Sequence, residues 1–217
     1  SMLRLAYNQA PSLAYWWIDG YVDLNEAQTA QLRKDIDAFF AWHRNSELPT
    51  YTARLQQWQQ LAAADSHPDL ACEQFEVLRS AYLRMVDRSL EPMARLALSM
   101  TPAQLQHLQR KYAKNNREFE KDFIKDCLPV NSVGLSIKVS PEERIDNLLE
   151  RALDRYEPLY GDLTKAQQTL LRGLIRNSPF DAQRVNVERL RRQTDLLKTL
   201  RDLQADRRAT PAQAMLA

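Results

Sequence analysis

The side chains best suited to chemistry in this 217-residue sequence are three histidines, two cysteines and twenty-eight carboxylates. Their spacing argues mostly against catalysis. His43 ends the apolar stripe Leu32, Ile36, Phe39, Phe40, which faces the inside of a helix packing. No second histidine or cysteine stands at ligand spacing from it, so it reads as a hydrogen-bonded core imidazole. His67, beside Pro68, reads as a turn residue, and His107 lies away from the apolar face of Leu105 and Leu108. The sequence has no Gly-x-Ser-x-Gly, His-Glu-x-x-His or phosphate-loop pattern, and neither cysteine has a histidine at a motif spacing. Two carboxylates facing across a cleft, the glycosidase arrangement, would be a tertiary pairing that spacing leaves open. No catalytic residue, metal site or cofactor is expected.

The elements that must position these groups are helices. Four glycines are too few for an all-β chain. Four stretches share one start signal: an oxygen acceptor followed three residues later by Gln or Glu. These are Asn25 with Gln28, Thr101 with Gln104, Ser140 with Glu143, and Thr164 with Gln167. Each is a capping box, in which the first side chain accepts from the third residue's amide and the third side chain reaches back. Pro102 and Pro141 fall at the first helical position, where a missing N–H costs nothing. The expected fold is all-α, an elongated antiparallel bundle of about seven or eight helices. It forms a single domain over 1–217, with 1–128 and 140–206 as sub-bundles joined by a loop at 129–139.

In chain order, Pro11 opens a short helix ending near Gly20, whose aromatics (Tyr7, Tyr15, Trp16, Trp17, Tyr21) are expected to pack as a lid. The helix from Asn25 is expected to stop before Pro49 and turn back, antiparallel, into the stripe Tyr51, Leu55, Trp58, Ala62. The next helix carries Cys72, Phe75, Leu78, Tyr82, Met85 or Val86, Met93 and Leu96 inward, and Pro92 should kink or split it. Met100 and Leu105 have staple spacing. Cys72 lies 28 residues before Met100 and Cys127 lies 27 after it, so a hairpin brings them to one height and permits a disulfide in an oxidising compartment. Leu135, Ile137 and Val139 alternate within a linking loop. Helices follow from Ser140 to a Gly161 cap, from Thr164 to Arg176 and from Phe180 to Asp206, with a frayed tail from Arg207.

The net charge is +2 with both signs mixed throughout, so no nucleic-acid face is expected. No apolar run reaches 18 residues.

Tyr7-Asn8, Trp17, Tyr21, Asp23-Leu24 and Gln28, then Trp42-His43-Arg44 and Glu47-Leu48-Pro49-x-Tyr51, then Arg144, Arg151, Glu157, Gly161-x-Leu163-Thr164 and Gln167 together resemble an uncharacterised proteobacterial lipoprotein family, a domain of unknown function. The resemblance covers nearly the whole chain, and the WHR and ELPxY motifs are its most specific part. The recurrent Leu-Thr-x-x-Gln element is also similar to that of the Spy and CpxP periplasmic chaperones. The first resemblance implies a signal peptide, a lipid on an N-terminal cysteine and a periplasmic location, anchored to the outer membrane. The leader and the lipid-acceptor cysteine are not in this sequence, and Ser1-Met2 looks like an expression scar.

The function expected is non-enzymatic binding of other envelope proteins, as a chaperone-like holder or an adaptor. The membrane would be contacted only through the lipid. A cell-wall (peptidoglycan) hydrolase or its regulator is the alternative, and a structural spacer is a third. The expected binding surface is Trp16, Trp17, Tyr21, Trp42, His43 and Arg44.

Overall fold

The computed structural model describes residues 2–61, 68–124, 140–206 and 209–216. Among them all regular structure is helical, as expected for a helical bundle: α1 (Met2–Val22), α2 (Glu26–Trp42), α3 (Leu48–Leu61), α4 (Pro68–Ser99), α5 (Pro102–Phe119), α6 (Pro141–Tyr160), α7 (Lys165–Arg176), α8 (Ala182–Ala205) and α9 (Pro211–Leu216). A π-helical turn, His43–Glu47, runs α2 straight into α3, and a second, Glu120–Ile124, extends α5.

Two proline expectations are corrected, and the split allowed at a third does not occur. Pro49 does not turn the chain back. The π turn ends with the Leu48 N–H bonded to the His43 carbonyl, and its extra residue opens the helix just ahead of a ring that would crowd a regular turn. Pro11 lies inside α1 rather than at its start, and α1 runs 21 residues, past Gly20. Pro92 sits within an unsplit α4 of 32 residues, where it removes one bond from an otherwise continuous ladder.

The chain forms two compact units, one of residues 1–111 with 195–217 and one of residues 112–194, so the division falls within α5 and α8. In the first, α1 packs on α2, α2 on α4, and α4 on α9. Its buried apolar residues are Val22, Leu32, Ile36, Ala81, Ala94, Leu96, Met100, Leu105, Leu108 and Leu200. Met100 and Leu105, which have staple spacing, are both buried in this core.

The polar centre of this unit is built from two of the capping boxes. Asn25 Oδ1 accepts from the Gln28 amide at 2.9 Å, and Gln28 Oε1 accepts from the Asn25 amide at 3.0 Å. Thr101 and Gln104 repeat the exchange at 3.2 and 2.9 Å. Both glutamines are buried, and their amides also bind one another. Gln28 Nε2 donates to the Ser99 carbonyl at 3.0 Å, and Gln104 Nε2 to the Asp23 carbonyl at 2.8 Å. Two helix starts and two chain turns are thereby satisfied at one point.

Two expectations about this unit fail. Most of the α4 stripe does not face inward: Cys72, Phe75, Leu78, Tyr82 and Met93 are exposed, whereas Leu96 is buried as expected, together with Ala81 and Ala94. Small residues such as Ala81 and Ala94 admit close neighbours. The tail is not frayed throughout, because Thr210 and Gln213 form a further capping box that starts α9.

In the second unit, α6 and α7 pack together, joined by ion pairs of Arg172 with Asp146 and of Arg176 with Glu142 at 2.8 Å. Ser140 with Glu143 and Thr164 with Gln167 cap these helices as expected, and Gly161, at φ 76°, ends α6. Arg189 lies 4.2 Å from the Phe119 ring centroid and Arg151 lies 4.7 Å from that of Phe123. Cys127, His67 and the linking segment at 129–139 lie outside the described residues, so the disulfide pairing falls there too.

Candidate functional site

The π turn gathers the most polar cluster in the first unit. A regular helix carries residue i+4 about 40° past residue i, and a wider turn removes that drift. His43, Glu47 and Tyr51 can therefore share one side across the α2–α3 junction. His43 Nδ1 lies 2.9 Å from the Tyr7 hydroxyl of α1. Aromatic rings surround the imidazole: Tyr7 at 5.8 Å, Phe39 at 6.2 Å, Trp42 at 6.3 Å and Tyr51 at 5.6 Å between centroids. Burial among them lowers the His43 pKa from 6.5, and the nearby Glu47 charge opposes the shift.

Glu47 is 4% exposed and is clamped by α4. Arg84 donates from Nε to one carboxylate oxygen at 2.9 Å and from its terminal nitrogen to the other at 2.8 Å. These bonds hold the Glu47 carboxyl below its ordinary 4.5, with burial opposing and Tyr51 assisting. The Tyr51 pKa is raised, first by burial and then by the carboxylate, and its shielded hydroxyl makes no hydrogen bond of regular geometry. Arg88, one turn beyond Arg84, lies 5.9 Å from the Trp42 ring centroid, and Arg44 lies 5.8 Å from that of Tyr7.

This arrangement locks α1, α2, α3 and α4 together. Both shifts run downward, which favours the neutral imidazole and the ionised carboxylate near neutral pH. No group of three or more His, Cys, Asp or Glu side chains that could hold a metal ion occurs among the described residues. Trp42 and His43 are half-buried in this cluster, and Arg44 is exposed at its edge.

Trp16, Trp17 and Tyr21 stand elsewhere. They lie nine or more residues beyond Tyr7 on α1, roughly 14 Å along the axis from its contact with His43. The lid expectation also fails for the tryptophans, since Trp16 is 72% and Trp17 66% exposed. Trp17 packs on Tyr21 at 4.9 Å, and Lys111 Nζ lies 5.4 Å from the Tyr21 centroid. The exposed arc of α1 from Asn8 to Gly20 carries no charged side chain. His107, read as a surface residue, is half-buried with Nε2 3.2 Å from the Gly20 carbonyl.

Glu47, Tyr51 and Tyr7 belong to the motifs that carry the family resemblance, though spacing did not bring them together with His43. Arg84 has no local signal at all, being 37 residues from its partner. A depression between α2 and α4, about 190 Å³ in volume, is lined by Leu32, Leu96 and Pro92, with the Asp35–Arg95 pair at its edge.

Capped helices, a buried polar knot and an exposed aromatic face define an all-helical bundle. The chain belongs to the family of unknown function DUF6279, whose model matches residues 20–209. No curated protein and no solved structure matches it.

Proposed function

We propose that this protein is a non-enzymatic ectodomain of the bacterial envelope, lipid-anchored on the periplasmic side of the outer membrane, which binds other envelope proteins through α1. The observation that carries the reading is the exposure of Trp16 and Trp17, with Leu13 at 66%, on an arc without charge. Monomeric proteins rarely leave such a group bare, and tryptophan is the commonest anchor of protein interfaces. Two rigid rings on a helix turn lose little entropy when a partner covers them. The state of Glu47 speaks against the cell-wall hydrolase alternative at this cluster, because a carboxylate held by Arg84 is a poor general acid. The envelope location rests on the sequence resemblance. No described helix is long and apolar enough to cross a membrane.

The test places a photo-crosslinking residue at position 13 of the full-length protein in intact cells, with Trp16→Ala/Trp17→Ala as the control. One dominant partner, lost in the control, supports an adaptor. Many partners, lost together, support a chaperone-like holder. Adducts indifferent to the control, or retention on peptidoglycan alone, overturn the reading.

A further inference from the structure

Helix α4 carries a second exposed apolar face, independent of α1. Phe75, Leu78, Tyr82, Leu83, Leu90 and Met93 are each 39% to 63% exposed. At 100° per residue Phe75, Tyr82, Val86 and Met93 fall within about 20° of one line, with Leu78 on one border and Leu83 and Leu90 on the other. Tyr82, Met85, Val86, Ser89, Leu90 and Met93 line a shallow depression in the middle of that face. Arg79 is the one charged residue whose position falls within the arc.

We propose that α4 is the seam of a two-fold antiparallel homodimer. The pattern is self-complementary. With the dyad level with residue 84, Phe75 meets Met93 of the second copy and Tyr82 meets Val86, so an aromatic ring faces thioether or aliphatic carbon on either side of the dyad. The six side chains expose on the order of 600 Å² per chain, given roughly 150–250 Å² for a whole aromatic side chain. Two copies would cover about 1,200 Å² or more, the size of a specific interface. Charge selects the direction. A parallel pair would set the two Arg79 guanidinium groups side by side, whereas the antiparallel pair separates them by roughly 15 Å. Each Arg79 then stands opposite Ser89 and within reach of the exposed Asp87 on the same border of the second copy.

Sedimentation of the full chain is the first measurement, and a dimer of the 25.2 kDa chain is expected at roughly 100 µM. Tyr82→Glu should return it to monomer with an unchanged far-ultraviolet spectrum, while Trp16→Glu should leave the dimer intact. Should Tyr82→Glu fail to fold, cysteine trapping decides. In a Cys72→Ser/Cys127→Ser background, Phe75→Cys with Met93→Cys should link two copies on oxidation, because the two sites lie roughly 27 Å apart within one helix. Either substitution alone should give little product. A wild-type monomer at this concentration, or single variants that cross-link as well as the pair, overturns the proposal. The α1 reading stands or falls separately, by the Trp16→Ala/Trp17→Ala control.

Discussion

Gln28 and Gln104 grip one another through both ends of their side-chain amides, at 3.1 Å in one direction and 2.6 Å in the other. Each is also the third residue of a capping box, so one buried pair joins the starts of α2 and α5. The box of Thr164 and Gln167 has the same local chemistry but is exposed.

Burial should separate these boxes in stability. Gln28→Ala would leave the Gln104 amide and the Ser99 carbonyl short of partners, at a cost of about 2–3 kcal/mol. Gln167→Ala should cost under about 1 kcal/mol, since water replaces what is lost. Urea unfolding of the two variants checks the difference. A double-mutant cycle over Gln28 and Gln104 should add a coupling of roughly 1 kcal/mol.

The Glu47–Arg84 clamp should make the first unit acid-labile. A carboxyl whose folded pKa is depressed contributes stability that is fully present above its ordinary 4.5 and is lost as pH falls through the lower folded value. Glu47→Gln should therefore cost about 2 kcal/mol at pH 7, discounted because Arg84 is half-exposed, and much less near pH 3. Denaturant midpoints of wild type and variant, compared at the two pH values, should converge in acid. A constant gap would mean that the carboxylate charge is immaterial.

Local signals explain what the sequence revealed and what it hid. A capping box is written within four residues, so the starts at Asn25, Thr101, Ser140 and Thr164 were legible in full. Thr210-Pro211-x-Gln213 repeats the Thr101-Pro102-x-Gln104 pattern and was open to the same reading. Hydrophobic periodicity marks an apolar face but does not say which faces meet. Leu32, Ile36, Leu105 and Leu108 became core, while the equally periodic Phe75, Leu78 and Tyr82 stayed exposed. Pro49 misled because a π turn is an insertion tolerated by tertiary contacts, here Tyr7 and Arg84 on its His43 and Glu47. Neither partner is near in sequence, so the cluster could not be assembled from spacing.

His43 should titrate below an ordinary histidine. Burial among rings disfavours the imidazolium, so between 6.5 and the lower folded value the unfolded chain binds more protons and stability falls as pH falls. Proton NMR should show the His43 ring responding at lower pH than a model histidine peptide. Tyr7→Phe removes the hydroxyl next to Nδ1 and should cost about 1 kcal/mol without abolishing the shift, because desolvation is its main cause. A His43 titration at or above 6.5 in the folded wild type would contradict the caged geometry.

Asp23, at φ 59°, is the left-handed residue that ends α1, and it is held from both sides. Its N–H donates to the Asp19 carbonyl at 2.8 Å, and its own carbonyl accepts from Gln104. The turn cannot relax without breaking the buried glutamine pair, so the backbone preference at this position should be felt in full. Aspartate and asparagine tolerate this region, glycine suits it, and a β-branched side chain clashes there. Asp23→Gly should match or exceed wild type by up to about 1 kcal/mol, with part of the relief offset by the freer unfolded chain. Asp23→Asn should be near neutral, and Asp23→Val should cost about 1–2 kcal/mol. Thermal unfolding of the three variants gives the order directly. If valine is tolerated as well as glycine, the turn is not fixed by the Gln104 contact.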